Sequence, residues 1–190
     1  MILILVRINV IKVGDVEVPG YAGWFTATQM NFSSGEQAET KKKGESENSV
    51  GKKAGPRVEP RDPNMQELAL DKTIDSATVY LMYYAMKNRA ENKSEVLTVD
   101  IHLVNSKGDA SDGAGGGLSP FLRIRIENAI IKSWSINAGE DGRPSESLTI
   151  WFNRVAMKYT AFDGKVVKDF VKGWDQHENI DFNSPELNKK

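Results

Sequence analysis

The sequence predicts a mainly β fold, an antiparallel sandwich or barrel with a single α-helix. Apolar and polar residues alternate in several segments that are rich in β-branched residues, and about seven strands follow from them. One segment, residues 79–86, lacks this alternation and is typical of a helix. Residues 33–65 are too polar for either element and interrupt the fold as a long loop.

The clearest strand spans residues 121–127, where the even-numbered positions are apolar and positions 123, 125 and 127 are charged. This pattern is typical of an antiparallel strand with one buried face. Residues 96–104, 148–160 and 166–174 show similar, less regular patterns. Residues 2–11 are apolar on both faces over their first half, so we expect a central or doubly covered strand there.

The predicted helix is apolar over most of its circumference. One face carries Tyr80, Leu81, Tyr84 and Ala85, and a neighbouring face carries Val79, Met82, Tyr83 and Met86. A single sheet cannot bury both faces, so either loops of the same chain or a partner must cover the second one. Thr78 is the expected N-cap, and Asp75 adds favourable charge near the helix start.

The polar loop, residues 33–65, has five apolar side chains and no aromatic one. Such a segment buries too little area to offset the entropy lost on ordering, so alone it should be mobile. A shorter glycine-rich connection is expected at residues 106–119. We therefore expect one domain over residues 1–175 with the loop as an insertion, followed by a polar C-terminal tail, residues 176–190, that frays.

Composition excludes several functions. The 190 residues fit one domain with a real core, and they contain no cysteine, which excludes disulfides, thiol nucleophiles and cysteine-based metal sites. The balance of 25 basic and 26 acidic residues gives no field that would attract nucleic acid or a membrane. The N-terminal apolar run ends at Arg7 and is too short for a signal peptide or a membrane span, so we expect synthesis in the cytoplasm.

No catalytic, cofactor-binding or metal-binding residue is predicted. The glycines at 113–117 lead into a strand, whereas a phosphate-binding loop leads into a helix. His102 and His177 share no metal-ligand spacing, and His102 falls on the polar face of its strand, where we expect a hydrogen-bonded or solvent-facing side chain. No serine lies in a nucleophile motif. Lys41 to Lys43 are surrounded by glutamates, without an aromatic residue for base stacking, so we expect no nucleic-acid contact.

Several segments, in a shared order and spacing, resemble one known family. They are ILVRI at 4–8 with IKVGD at 11–15, LALDKTIDSA at 68–77, FLRIRIENA at 121–129, EDGRPSESL at 140–148 and GWD at 173–175. Each segment alone is weakly specific, but together they cover nearly the whole chain. In this respect the sequence is similar to the haemolysin-coregulated protein (Hcp) family, the tube proteins of type VI secretion.

The resemblance implies a small β-barrel with one helix that closes head to tail into six-membered rings. The rings stack into a tube, which a contractile sheath propels out of the cell together with a spike protein and effector proteins. Such a protein is secreted by the apparatus without a signal peptide. It is a structural protein and not an enzyme, and it uses no cofactor.

We expect the assembly contacts at two places. The loop residues Lys41, Lys42, Lys43, Arg57 and Arg61 are candidates for ring stacking. Tyr80, Tyr83 and Tyr84 are candidates for packing between subunits or, alternatively, within the barrel core.

Two other interpretations stay open at this stage. A tail-tube subunit of a phage-like contractile particle would share the fold and the ring. A hydrolase or carbohydrate-binding module would use carboxylates and exposed tryptophans, for which Trp24, Trp134 and Trp151 are the candidates. That last interpretation predicts a monomer, whereas the tube interpretation predicts a ring with its tryptophans mostly buried.

Overall fold

A computed structural model describes residues 1–33, 66–87, 96–105, 120–140, 142–162 and 167–188. These ranges contain nine β-strands, one α-helix and a short 3-10 helix. The strands are β1 (Ile2–Ile8), β2 (Phe25–Ala27), β3 (Gln29–Ser33), β4 (Gln66–Thr73), β5 (Leu97–Asn105), β6 (Pro120–Asn137), β7 (Ser145–Phe162), β8 (Val167–Asp175) and β9 (Ile180–Asp181). The α-helix α1 spans Thr78–Lys87, and the 3-10 helix spans Pro185–Asn188.

All of these strands pair antiparallel, in the order β2-β1-β5-β6-β7-β4-β3, with β8 on β7 and β9 on β8. The two end strands, β2 and β3, do not pair with each other, so the hydrogen-bonded sheet is open between them. Only Thr28 separates them along the chain, and its amide donates to the carbonyl of Asp71 on β4 at 2.7 Å. The mainly antiparallel β prediction is confirmed, although chain continuity and not strand pairing completes the barrel.

The long hairpin β6–β7 connects the two halves of the sheet. The first part of β6 pairs with β5, and the second part of β7 pairs with β8, whereas β4 pairs with the first part of β7. Asn128 has a positive φ of 53°. At this point the buried positions of β6 change from Ile124 and Ile126 to Ala129 and Ile131, so the strand keeps its apolar face toward the core as it bends.

The strand β1 is covered on both faces, as its sequence predicts. It pairs with β2 on one side and β5 on the other. Val6 and Ile8 belong to the main core, whereas Leu5 packs on the opposite face with Tyr21 and Trp24 from the segment that follows the strand. An alternating pattern is absent from β1 because both of its faces are buried.

The helix is confirmed, but its start differs from the prediction. The amide of Leu81 donates to the carbonyl of Ala77 at 3.0 Å, so Ala77 holds the cap position and the assignment of Thr78 as N-cap is wrong by one residue. The Thr78 hydroxyl instead donates to Glu146. Asp75 supplies the expected charge, since its carboxylate accepts the amide of Ala77 at 2.9 Å.

The expectation that the tail frays is wrong as far as residue 188. The amide of Phe182 donates to the carbonyl of Gly173 at 3.0 Å, and both Ser184 and Leu187 are buried. The segment turns back after β8 and packs against β7. Its few apolar side chains are spaced so that they contact the sheet. The average composition of the tail is polar and does not reveal this spacing.

The expected strands at residues 96–104, 148–160 and 166–174 correspond to β5, β7 and β8. The strand predicted at 121–127 is the first part of the longer β6, and the short strands β2, β3 and β9 were not predicted. The polar loop 33–65, beyond Ser33, and the glycine-rich connection 106–119 lie outside the described residues. Among the described residues, no helix has the length and apolar character that crossing a membrane requires.

Candidate assembly surfaces

A buried ionic cluster fixes the start of α1. Lys72 on β4 and Glu146 on β7 lie directly opposite each other and are fully buried. The ammonium of Lys72 lies 2.6 Å from Oε1 of Glu146 and 2.7 Å from Oδ1 of Asp75. Glu146 also accepts the Thr78 hydroxyl and the Trp134 indole N–H, each at 2.6 Å. Three strands and the helix start are therefore held together at one point.

This cluster determines where the helix sits more than how stable the chain is. Removing charges from water costs several kcal/mol per ion, which the attraction between them offsets only in part. Its value lies in geometry, because Thr78 and Asp75 reach their partners Glu146 and Lys72 only when α1 occupies this position. Asp75 and Glu146 come from two of the segments on which the family resemblance depends, and the fold brings these two segments into contact.

The outer face of α1 is uncovered. We use this name for Val79, Tyr80, Tyr83 and Met86, whose side chains are 60%, 44%, 53% and 61% exposed. The opposite side of the helix, with Leu81 and Ala85, is buried in the main core. Within the described ranges no element covers the outer face, so the second covering surface that the sequence requires is absent from this part of the chain.

The predicted assembly residues fall into three groups. Tyr80 and Tyr83 lie on the outer face of α1, whereas Tyr84 is half-buried and packs against the main core. Tyr80 was expected on the same face as Leu81, but Leu81 is buried and Tyr80 is exposed. The third group lies outside the described residues, namely Lys41, Lys42, Lys43, Arg57 and Arg61.

A second uncovered apolar surface was not predicted from the sequence. On β7 and β8, Tyr159 lies opposite Phe170, and Val155 lies opposite Trp174, so these side chains share one face of the sheet. Tyr159, Phe170 and Trp174 are 49%, 59% and 38% exposed. We call these three aromatic side chains the β7–β8 face. The alternation in residues 166–174 indicated this strand, but not which of its faces would lack a cover.

The motif at the end of β8 holds the tail in place. A Cβ atom on Gly173 would lie 2.3 Å from the carbonyl oxygen of Phe182, so only glycine permits this approach. Asp175 is buried and pairs with Arg154. The backbone N–H of Glu178 and the Arg154 guanidinium hold the pKa of Asp175 below its ordinary value. The tail consequently covers the sheet face opposite to the β7–β8 face.

His102 is a hydrogen-bonded structural residue, as the sequence predicts. Its Nδ1 lies 3.1 Å from the hydroxyl of Tyr21, and its ring packs against Trp24 with centroids 4.8 Å apart. Burial and the nearby Arg123 lower the pKa of His102 to about 4. The imidazole is therefore neutral at physiological pH, and its Nδ1 shares a hydrogen bond with the Tyr21 hydroxyl.

The described tryptophans do not form an open sugar-binding site. Trp24 is buried, with the Arg7 guanidinium 5.1 Å from its ring centroid. Trp134 and Trp151 are half-buried and donate their indole N–H groups to glutamates. Trp174 is more exposed and belongs to the β7–β8 face. The expectation of mostly buried tryptophans thus fits three of these four side chains.

A cleft of about 600 Å³ beside β1 is lined by Arg7, Lys12, Asp100 and Arg125, among others. Asp100 accepts from Arg7 at 2.7 Å and from Arg125 at 2.8 Å, so its two oxygens are occupied within the chain. The described residues also contain no group of three or more histidines or carboxylates placed to bind a metal. What the described residues do offer is two uncovered apolar faces, which are typical of a protein that assembles with partners.

Comparisons with known proteins agree with this class. The chain matches the family described as "Type VI secretion system effector, Hcp" over residues 6–159. Among solved structures, Hcp1 from Salmonella typhimurium has 15% identity and a TM-score of 0.66, with 95% of this chain and 99% of that chain covered. A type six secretion system protein has 16% identity and a TM-score of 0.68, with coverage of 96% and 100%. A search of curated proteins gave no match.

The fold and its uncovered faces define a β-barrel subunit of an assembly. The family match covers most of the chain, and the chain therefore belongs to the Hcp family of type VI secretion. It is a structural tube subunit of that secretion system. The tail-tube subunit of another contractile particle, which the sequence left open, has no better support.

Proposed function

We propose that this tube subunit closes head to tail into six-membered rings, which stack into a tube that carries effector proteins. The main support is the outer face of α1, an apolar surface that the described residues leave exposed to solvent. Such a surface on a soluble domain marks a contact with another molecule. A ring in which every subunit makes the same contact supplies that cover for each copy.

The tyrosines divide between the two roles left open above. Tyr80 and Tyr83 contact the neighbouring subunit, whereas Tyr84 packs within its own barrel. The support is the difference in their surroundings, because Tyr84 touches the main core and the other two are largely exposed. Tyrosine is favoured at protein interfaces because it combines a large apolar ring with a polar tip.

The remaining contacts are proposed from family membership. Lys41, Lys42, Lys43, Arg57 and Arg61 would contact the next ring along the tube. The sheath and the spike protein would contact the tube from outside and at its tip. The protein would be made in the cytoplasm and exported by the apparatus, and its work would involve no covalent chemistry.

The ring is tested by the solution mass of the purified protein, measured by light scattering over a series of concentrations together with negative-stain imaging. We expect a particle of six times the chain mass of 21.1 kDa, with an open centre. Tyr83→Ser should lower the mass toward that of the monomer without unfolding the chain, since Tyr83 is 53% exposed. A strictly monomeric wild-type protein at every concentration would contradict the proposal.

A further inference from the structure

The structure also indicates what covers the outer face of α1. We infer that it docks against the β7–β8 face of the adjacent copy, Tyr159, Phe170 and Trp174, an inference that rests on the proposed ring. Each subunit then presents its helix to one neighbour and its strands to the other. The two uncovered faces become the two halves of one repeated contact.

The β7–β8 face is suited to a protein contact because it continues the core face of the sheet beyond the core. In one cross-strand row, Ile126 lies opposite Val155, and Val155 lies opposite Trp174. Along this row the side chains become more exposed, from the buried Ile126 to Trp174, which is 38% exposed. In the row of Leu122, Tyr159 and Phe170, the exposure reaches 59%. The apolar surface thus extends past the last described element that covers it.

The number and kind of the uncovered faces indicate that a second copy of the chain covers the outer face of α1. Head-to-tail contacts require two different surfaces on each subunit that fit each other, and closure follows when their relative rotation allows it. The described chain offers two such apolar surfaces, one helical and one on strands. Packing either face against its own copy would give a closed dimer and would leave the other face in water.

Charged side chains border both faces. Lys172 lies opposite Met157 and Asp181 lies opposite Trp174, so both point from the same side of the sheet as the aromatic side chains. On the helix, the ammonium of Lys87 lies 5.6 Å from the ring centroid of Tyr83 and 5.4 Å from that of Tyr84, so the Tyr80 ring is the one left for a cation of the neighbour. Docking would bring Lys172, or Lys168 on the same side of the sheet, to the Tyr80 ring.

The size of the contact favours a closed ring over an isolated dimer. Aromatic side chains bury about 150–250 Å² each, so the three half-exposed ones of the β7–β8 face offer on the order of 300 Å². That is small beside the roughly 800 Å² per partner of a standard interface. A closed ring gives every subunit two such contacts, and loss of a subunit requires both to break.

The test uses the absence of native cysteine, so that introduced cysteines are the only thiols. The double variant Tyr83→Cys with Phe170→Cys should form, on mild oxidation, a ladder of covalent species ending at six chains on a non-reducing gel. Either single variant should give no ladder, whereas a mixture of the two should give covalent dimers. The control pairs Phe170→Cys with Ile136→Cys, whose native side chain is 45% exposed on another part of the sheet, and should give no ladder.

A pair of introduced opposite charges tests the same contact without a covalent bond. Tyr83→Glu alone and Phe170→Lys alone should each lower the particle mass, and the two together should restore the ring. If the wild-type protein is a ring but neither the ladder nor the restoration is seen, the docking inference is wrong and the proposed function stands. If the wild-type protein is monomeric, the proposed function fails and the inference fails with it.

Discussion

Two regions of the sheet, one around β1 and one around β7 and β8, are called its two ends here. They differ in how fully the described chain covers them. At one end, β1 lies between β2 and β5, with the main core on one face and Leu5, Tyr21 and Trp24 packed on the other. At the other end, the C-terminal tail covers one face of β7 and β8, but the opposite face carries three exposed aromatic side chains. Among the described residues, one end is covered on both faces and the other has an open apolar face.

This difference separates residues that stabilise the subunit from residues that assemble it. A tryptophan at the covered end contributes fully to folding, whereas one at the open end keeps part of its apolar surface for contact with a second molecule. The buried ionic cluster links the two roles, because it holds α1 where its outer face can meet a neighbour. The following changes test this division.

Substitution of Trp24 should cause the largest loss of stability. Trp24→Ala removes a buried aromatic side chain and should lower the free energy of unfolding by about 3–5 kcal/mol. The matched variant Trp174→Ala removes the same side chain where it is 38% exposed, and it should cost the subunit less than Trp24→Ala does, about 1–2 kcal/mol, while lowering the ring mass. Denaturant unfolding and light scattering measure the two effects, and equal stability losses would refute the division.

Removal of the cluster's cation should also destabilise strongly. Lys72→Met leaves the buried Glu146 and its neighbour Asp75 without their counter-ion and should cost about 3 kcal/mol. In the double variant Lys72→Met with Glu146→Gln, the loss should be smaller than the sum of the single losses, because the two side chains interact directly. Additive losses in urea unfolding would show that the pair does not act as a unit.

The anchoring of the tail should depend on Gly173. Gly173→Ala would place a Cβ atom 2.3 Å from the Phe182 carbonyl oxygen, so the tail must move, at a cost of about 2 kcal/mol. Limited proteolysis should then cut the tail faster. Gly142→Ala is the control, since its Cβ would meet no atom within 4 Å, and its proteolysis pattern should match that of the wild type.

Stability should fall in mild acid because of His102. Its pKa is about 4 in the folded state against an ordinary value of 6.5, so between these values the unfolded chain binds the proton and the folded chain does not. The free energy of unfolding should therefore drop by about 1–2 kcal/mol as the pH falls through that window, allowing for partial solvent screening.

The matched variants are His102→Gln and His177→Gln, which change the chain's two histidines one at a time. His102→Gln keeps an acceptor for Tyr21 and should flatten the pH dependence in this window, whereas His177→Gln, at an exposed position, should leave it unchanged. Urea unfolding at a series of pH values measures both. An unchanged slope in His102→Gln would assign the acid sensitivity to other groups.

Much of the fold was predictable because alternation reports directly on burial. The strand at residues 121–127 and the doubly covered β1 follow from which positions are apolar. Strands β2 and β3 were missed because they are short and carry few strand-specific signals. The tail was mispredicted because its average polarity conceals the two residues that anchor it, Ser184 and Leu187.

The assembly surfaces were predictable only in part. The excess apolar surface of α1 is visible in the sequence, since no single sheet can bury so many faces of one helix. The β7–β8 face is not, because a strand's alternation gives the same pattern whether its apolar face is covered or open. Which face lacks a cover depends on where the tail returns, and that is a property of the tertiary fold.

Hydrogen–deuterium exchange of the assembled and the monomeric protein tests the central claim most directly. If the outer face of α1 and the β7–β8 face form the contact between subunits, hydrogen exchange at β8 and α1 should be slower in the assembly. Exchange at β1, which is covered within the subunit, should be the same in both states. Unchanged exchange at β8 and α1 on assembly, with new protection only elsewhere, would contradict this claim.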